Sequence, residues 1–209
     1  RIATLYIGGG TPSHLPKPLL EKLLSQIDKS IPLSCMNEVT LESNPEDISY
    51  DNIKAWTDMG IDRISVGIQS FNPVFLATID RRHNPEASRE ALRILSSCNI
   101  NYNADLIYGL PNQTIKDWKH DLAELLSYSP PHFSSYLLSY EPGTRLYARK
   151  EKGIVKEASG TTAENMFNIL CEMADEAGYN HYEISNLALP GYEAKHNSAY
   201  WNYTPYIGL

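Results

Sequence analysis

Short apolar segments alternate with longer segments of helical periodicity along most of the chain, and this alternation constrains the fold more than any other feature. The segments that read as strands are LYI, EVTLES, RISVGIQS, ADLIYGLP and FSSYLLSY. Strands alternating with helices form right-handed βαβ units around a parallel sheet. Five such strands are too few for a closed eight-stranded barrel. The sequence therefore predicts an α/β fold with a partial parallel (β/α) barrel. A doubly wound sheet is the alternative, although no G-x-G-x-x-G fingerprint or Walker loop is present.

Capping residues mark where two of the helices begin. Asn84 followed by Pro85 is a strong helix start, because Asn caps the free N–H groups and Pro fits the first turn. Thr114 and Asp117 have the spacing of a capping box. These signals predict helices that begin directly after Asn84 and Thr114.

The composition and residue pattern of the chain change near residue 150. Residues 152–160 are polar, a helical pattern carrying Met166 and Leu170 follows, and the remainder is dense in Tyr. The sequence therefore predicts a barrel over residues 1–149 and the start of a small C-terminal α+β extension over residues 150–209.

Charge and cysteine usage narrow the class of protein. The formal net charge of −7 argues against nucleic-acid binding, which needs a basic patch. No run approaches the ~18 apolar residues of a membrane span, and no signal-peptide pattern precedes the first strand. The cysteines, Cys35, Cys98 and Cys171, are odd in number and widely scattered, which suits a reducing compartment. We therefore expect a cytoplasmic protein.

Polar residues and glycines recur where the predicted strands end. The first strand runs into Gly8-Gly9-Gly10-Thr11, the second ends with Glu42 and Asn44, the third ends with Gln69 and Ser70, and Asp105 lies within the fourth. In a parallel barrel these ends meet at one rim. Together they predict a binding site at this rim, the mouth of the barrel, that suits a ligand bearing an amino acid group and a ribose. Each has an ordinary alternative: a tight turn for the glycines, a solvated strand end for Glu42, and a hydrogen bond to a loop for Gln69.

Several motifs follow one another in an order that resembles a known family. They are YIGGGTPSHL, LESNPE, RISVGIQSFN, DRRH, NADLIYGLPNQT and YLLSYEPGT. The chain resembles the oxygen-independent coproporphyrinogen III oxidase family of radical S-adenosylmethionine (SAM) proteins over nearly its whole length. Its C-terminal YEISNLALPGYEAKHNSAYW is most similar to the haem-chaperone branch of that family. Ser70 stands where the oxidase typically has Asp, which also favours the chaperone branch.

The resemblance implies a partial barrel of radical SAM type and a set of SAM-binding residues. It assigns main-chain contacts with SAM to Gly9 and Gly10, with Thr11 adjoining, and a side-chain contact to Glu42. In the oxidase, the residues that match Gln69, Arg81 and Asp105 line a second SAM position, which the chaperone branch is thought to use differently. For Arg81 a surface position is the alternative. For Asp105 it is a pairing with a lysine or a backbone donor.

The resemblance also implies a [4Fe–4S] cluster held by a C-x-x-x-C-x-x-C loop. The cysteines of this chain do not have that spacing, so we expect them to be structural thiols. The cluster cysteines are therefore expected outside this chain.

The same branch carries an HN-x-x-YW signature, which here is His196, Asn197, Tyr200 and Trp201. A haem needs an axial donor and a flat apolar surface, and these residue types supply both, with His196 as the candidate iron ligand. The alternative is that His196 and its aromatic neighbours are the packed core of a small domain.

The sequence and the family resemblance leave three candidate functions. The first is a haem chaperone with a SAM-ligated cluster, and the second is the coproporphyrinogen III oxidase itself. The third, from outside the family, is a phosphate- or sugar-handling barrel enzyme that uses the glycine loop to bind an anion. The expected partners are haem and an unidentified acceptor protein, and both a membrane-protein acceptor and a homodimer are compatible with the resemblance.

Overall fold

The computed structural model describes residues 2–208, which form a seven-stranded sheet with helices packed on its outer face. The strands stand in the order β1-β2-β3-β4-β5-β7-β6. Their bounds are β1 Thr4–Ile7, β2 Glu38–Ser43, β3 Arg63–Gln69, β4 Asn101–Tyr108, β5 His132–Leu137, β6 Asn180–His181 and β7 Asn186–Ala188. Strands β1 to β5 are parallel, and the sheet of the described residues is not closed. The predicted α/β partial barrel is confirmed.

The helices are α1 Lys17–Ser30, α2 Tyr50–Asp58, α3 Pro73–Thr78, α4 Pro85–Ser97, α5 Ile115–Ser127, α6 Arg145–Glu151, α7 Gly160–Glu176 and α8 Lys195–Trp201. Asn84 caps α4, and Thr114 with Asp117 forms the complete capping box of α5, so both predicted helix starts are confirmed. The short helices α3 and α6 were not predicted, because each has too few turns to show a periodic apolar face.

Side chains alternate between the two faces of the parallel strands, and the two faces differ in chemistry. The outward residues are apolar and fully buried under the helices, among them Leu41, Ile64, Val66, Leu106 and Phe133. The residues that alternate with them are polar and face the interior of the open barrel, among them Glu38, Glu42, Arg63, Asn103, Asp105 and His132. The helices therefore supply the hydrophobic core, and the barrel interior is left for polar groups.

The C-terminal part returns to the same sheet. Strand β7 pairs antiparallel with β5, and β6 pairs with β7. Helix α8 then contacts β1, and the N–H groups of Lys195 and His196 donate to the Glu38 carboxylate at the start of β2, at 2.9 and 3.0 Å. Helix α8 thus lies at the end of the barrel where the parallel strands begin. Within residues 2–208, no helix combines the length and apolar character needed to cross a membrane.

Candidate functional site

The carboxyl ends of β1 to β4 surround one cavity of about 190 Å³. Among the residues assigned above to SAM, the structure brings six together in its lining: Gly10, Thr11, Glu42, Gln69, Arg81 and Asp105. Gly9 adjoins the cavity through its N–H, which donates to Glu42 Oε2 at 3.1 Å. The cavity is also lined by Ser43, Asn44, Ser65 and Gly67. Residues from separate strand ends therefore form a single site.

The glycine turn lets the backbone come close to Glu42. A Cβ at Gly8 would lie 2.9 Å from the Glu42 carboxyl carbon and 2.8 Å from the Tyr6 ring, so a larger residue would displace them. Gly9 and Gly10 have φ values of +76° and +54°, which only glycine adopts without cost. The second carboxylate oxygen of Glu42 accepts from the Tyr6 hydroxyl at 2.8 Å. Both Glu42 oxygens are thus held, one by the turn and one by Tyr6.

Gln69 occupies a strained backbone position. Its φ is +68°, in the left-handed region that non-glycine residues rarely adopt, and the pairing of β3 with β4 shifts register between Val66 and Gln69. A Cβ at Gly67 would lie 2.6 Å from Gln69 Nε2, so the absence of a side chain there makes room for the carboxamide. Such local strain is concentrated at functional sites, where it aims a side chain.

Arg81 and Asp105 bring opposite charges to the same cavity. Burial lowers the pKa of the Arg81 guanidinium, an effect that Asp105 and Glu46 oppose. Burial raises the pKa of Asp105 to about 6, against hydrogen bonds that favour its ionised form. Those bonds come from Asn103, Ser134 and Ser65, with Asn103 Nδ2 at 2.6 Å and Ser65 Oγ at 3.2 Å from the carboxylate. Asp105 is therefore held by neutral side chains, whereas the sequence alternative was a lysine or a backbone donor.

The cavity thus offers two carboxylates, a carboxamide, a guanidinium and backbone groups. This donor and acceptor set can bind a ligand that carries an ammonium group, a carboxylate and hydroxyls. Sequence reasoning missed Ser43, Ser65 and Gly67 as lining residues. The signal for Ser65 and Gly67 was their alternation with Ile64, Val66 and Ile68, which places them on the same strand face as Gln69.

Ser70, which the sequence grouped with Gln69, lies outside the cavity. It is fully buried and donates from Oγ to Asp121 Oδ2 of α5 at 2.7 Å, while Phe71 N–H donates to Asp121 Oδ1 at 2.9 Å. Its role in this fold is to tie the end of β3 to a helix.

His196, the candidate haem ligand, lies at the opposite end of the barrel from the cavity. Its Nδ1 is 2.8 Å from Thr4 Oγ1, and its ring stacks on Tyr6 with the centroids 5.1 Å apart. Its Nε2 is 3.4 Å from the hydroxyl of Tyr200, whose ring meets the imidazole edge to face. Burial lowers the pKa of His196, so the imidazole is neutral near pH 7.

The other residues of the HN-x-x-YW signature lie on α8 with His196. Tyr200 and Trp201 are 50% and 54% exposed, so they present aromatic surface to solvent. Trp201 Nε1 donates to Glu183 Oε2 at 3.2 Å. Asn197 interacts with the hydroxyl of Tyr182.

Cys35, Cys98 and Cys171 stand on separate elements: a 3₁₀ turn, the C-cap of α4 and the middle of α7. Across residues 2–208, no group of three or more His, Cys, Asp or Glu side chains is arranged to hold a metal ion. Of the residues assigned as iron ligands, His196 is the one that the described part of the chain contains.

Residues 1–125 match the Radical SAM superfamily. The chain is 38% identical to the haem chaperone HemW of Lactococcus lactis over 210 residues, which covers 100% of this chain and 55% of that protein. It is 35% identical to the haem chaperone HemW of Escherichia coli, covering 100% of this chain and 54% of that protein. The chain thus spans about half the length of the curated relatives it matches.

Among solved structures, the chain is similar in fold to coproporphyrinogen III oxidase (HemN) from Escherichia coli, a radical SAM enzyme. The TM-score is 0.79 over 96% of this chain and 46% of that one, at 23% sequence identity. At this identity the likeness shows the fold alone.

Proposed function

This chain belongs to the radical SAM superfamily, and we propose that it forms the SAM-binding part of a haem chaperone. The observation that carries the proposal is the single cavity lined by residues from four strand ends. Its relatives HemW of Lactococcus lactis and of Escherichia coli, both named haem chaperones, are similar to this chain along its whole length.

The cavity fits the amino acid and nucleoside parts of SAM. Glu42, already fixed by Gly9 and Tyr6, offers an acceptor for an ammonium group or for ribose hydroxyls. Arg81 offers a charge for a carboxylate, and Gln69 offers both a donor and an acceptor. When bound, a [4Fe–4S] cluster supplies the electron that cleaves SAM, and the cysteines that hold it lie outside this chain on our reading. The residues described here bind and orient SAM.

His196 fits the requirements of a haem ligand. When its Nδ1 carries the proton and donates to Thr4 Oγ1, Nε2 keeps an acceptor lone pair, and an iron would take the place of the Tyr200 hydroxyl that lies 3.4 Å from it. The lowered pKa keeps the ring neutral. Tyr200 and Trp201 offer the flat apolar surface that a porphyrin covers, and Asn197 completes the signature on the same helix.

The SAM assignment is tested by equilibrium dialysis of the full-length protein with S-adenosylhomocysteine. We expect Glu42→Gln to weaken binding about tenfold or more, because a charge-assisted hydrogen bond is lost in a partly enclosed site. Glu21→Gln, at an exposed position on α1, is the matched control and should bind like the wild type. Equal affinity of the Glu42→Gln variant and the wild type would remove Glu42 from the site.

The haem assignment is tested by titrating the full-length protein with haem and recording the visible spectrum. We expect His196→Ala to lose the spectrum of the ligated iron and to bind haem at least tenfold more weakly. His120→Ala is the control, since the His120 side chain is 70% exposed on α5. An unchanged spectrum and affinity in His196→Ala would exclude His196 as the ligand.

The alternative function is oxidative decarboxylation of coproporphyrinogen III. It is favoured by one observation: Gln69, Arg81 and Asp105, which match the oxidase under the resemblance, line the cavity together. Anaerobic incubation of the reconstituted full-length protein with coproporphyrinogen III and SAM distinguishes the two functions. The chaperone proposal expects no protoporphyrinogen even when SAM is cleaved. Phosphate or sugar-phosphate binding is disfavoured because Glu42 and Asp105 bring carboxylates to the cavity.

The remaining assignments belong to the same proposal. We place the start of the haem-associated part near residue 150 and the protein in the cytoplasm, as its scattered cysteines suggest. The proposed partner for haem transfer is an acceptor protein, with a membrane protein as a candidate. The full-length protein is also proposed to form a homodimer. Size-exclusion chromatography with light scattering tests the homodimer.

A further inference from the structure

A row of hydrogen bonds crosses the barrel interior from the C-terminal segment to the cavity. Ala194 N–H, at the start of α8, is 3.3 Å from the Tyr182 hydroxyl, which is 2.7 Å from His132 Nε2. His132 Nδ1 is 2.5 Å from Asn103 Oδ1, and Asn103 Nδ2 is 2.6 Å from Asp105 Oδ1. Neither His132 nor Asn103 is among the functional residues predicted from the sequence.

The direction of every bond in this row is fixed by its ends. The Asp105 carboxylate can only accept, so Asn103 donates to it from Nδ2, and the second N–H of that group donates to Ser65 Oγ at 2.8 Å. Asn103 Oδ1 must then accept from His132 Nδ1, and the neutral imidazole keeps an acceptor at Nε2. His132 Nε2 accepts the Tyr182 hydroxyl proton, and that hydroxyl accepts from Ala194 N–H. The row therefore ends by presenting a donor to a carboxylate that lines the cavity.

Burial keeps this row in one arrangement. Asn103 is 3% exposed and His132 is fully buried, and Ser134 Oγ lies between Asn103 Oδ1 at 3.1 Å and Asn186 Oδ1 at 2.6 Å. Burial, with a smaller contribution from Arg63, holds the pKa of His132 well below its usual range, so the imidazole stays neutral and keeps one donor and one acceptor. A flip of the Asn103 carboxamide would turn its oxygen towards the Asp105 carboxylate in place of the donor at 2.6 Å, at a cost that disfavours it.

We propose that His132 and Asn103 are positioning residues of the cavity, which hold Asp105 as an oriented carboxylate for the ligand. The inference rests on the proposed function, in which Asp105 lines the cavity that binds SAM. Without these donors a carboxyl group in so enclosed a position would take up a proton more readily and become a donor itself. The cavity would then lose one of its two carboxylates as an acceptor for an ammonium or a ribose hydroxyl.

Charged groups of both signs and two tyrosines also face Asp105. From β2, Glu42 raises the pKa of Asp105, and Arg81, which precedes α4, is the one cation that faces it among the described residues. Tyr6 of β1 and Tyr136 of β5 also face it, and both have their pKa raised by burial and by Asp105, so they remain protonated. Because these groups are untouched by changes at His132, a shift in Asp105 titration can be assigned to the hydrogen-bonded row.

The test measures the protonation of Asp105 directly, in the full-length protein without added ligand. Infrared difference spectra across a pH series report the protonated carboxyl band, and Asp105→Asn identifies it by its loss. We expect His132→Leu to move the midpoint of that band upward by about one pH unit, because a donor to the charged form is no longer held in place. His132→Asn, which keeps a donor close to the Nδ1 position, should return the midpoint towards the wild-type value.

Binding of S-adenosylhomocysteine supplies the second readout. For His132→Leu we expect affinity at pH 7 to fall about two- to fivefold, and the pH at which affinity is half-maximal to rise by the same one unit as the carboxyl band. A purely structural role for His132 would lower stability and leave that pH unchanged. Should His132→Leu fail to fold, Tyr182→Phe takes its place, since it removes the hydroxyl that donates to His132 Nε2 and accepts from Ala194 N–H but leaves His132 and Asn103 in place, and a smaller upward shift is expected.

The possible results separate the positioning role of His132 and Asn103 from the assignment of the cavity to SAM. A carboxyl midpoint that is the same in the wild type and in every folded variant at positions 132 and 182 would overturn the positioning role. A midpoint that shifts while the wild type binds no S-adenosylhomocysteine would support the positioning role and reject the SAM assignment of the cavity.

Discussion

The mouth and the base of the barrel are built from the same strand faces, yet they use polar residues differently. At the mouth, Glu42, Gln69 and Arg81 line an open cavity and keep hydrogen-bonding capacity for a ligand. At the base, Glu38 and Arg63 are 4% and 2% exposed, and α8 covers them. Polar residues on an inward strand face therefore do not by themselves indicate a binding site. What distinguishes the two ends is whether another part of the chain covers them: amides of α8 satisfy Glu38, and Arg63 is buried although its Nε and Nη2 have no hydrogen-bond partner.

Tyr6 contacts both regions directly. Its hydroxyl donates to Glu42 at the mouth, and its ring stacks on His196 at the base. The hydrogen-bonded row through His132 makes a second, longer connection. Substitutions at the base, at the mouth and at Tyr6 test these differences.

The largest effect is expected at the base. Glu38→Ala removes the acceptor of two α8 amides and the carboxylate that lies 4.0 Å from the buried Arg63. We expect the free energy of unfolding to fall by about 3–5 kcal/mol, because one buried charge is left uncompensated. Urea unfolding followed by circular dichroism measures it.

The matched control is Glu86→Ala, which breaks an exposed ion pair with Arg89 on α4. That change should cost less than about 1 kcal/mol. If the two variants were equally stable, the base of the barrel would not be the closed region described here.

A smaller effect, confined to ligand binding, is expected at the mouth. In Gly67→Ala the new Cβ would meet Gln69 Nε2 at 2.6 Å, and the flexible end of that side chain must move. We expect S-adenosylhomocysteine to bind about tenfold more weakly, with a loss of stability below about 2 kcal/mol. Gly160→Ala, where the added Cβ meets nothing within 4 Å, is the control for both measurements. A loss of stability without a loss of affinity would show that Gly67 serves packing alone.

The smallest effect is expected at Tyr6. Tyr6→Phe removes the hydroxyl that donates to Glu42 Oε1 at 2.8 Å and leaves the ring in place against His196. We expect S-adenosylhomocysteine affinity to fall about threefold, consistent with one modest hydrogen bond, while haem affinity stays unchanged. Tyr50→Phe, at an exposed position on α2, is the control. Equal losses of affinity for both ligands would contradict the separate roles of the Tyr6 hydroxyl at the cavity and of its ring at His196.

The fold and the mouth could be largely predicted because their signals are local. Apolar periodicity gave the parallel strands and longer helices, and Asn84 and Thr114 marked two helix starts. The rule that parallel strands end at one rim then brought Glu42 and Gln69 together. Ser65 and Gly67 were missed because small residues on a strand do not by themselves indicate a binding site. In the structure Gly67 leaves space for the Gln69 side chain, and Ser65 donates a hydroxyl hydrogen bond to Asp105.

The sequence by itself determined the order of strands and helices, the glycine turn and the residue types available at the mouth, since these depend on neighbours within a few positions. Only the tertiary structure decided which inward polar groups are left open. Glu38 is satisfied by amides more than 150 residues away, at Lys195 and His196, and Asp105 is satisfied through Asn103 by a histidine on the next strand. Such partners meet because helices and strands pack in one arrangement, and no local pattern of residues records the distance between them.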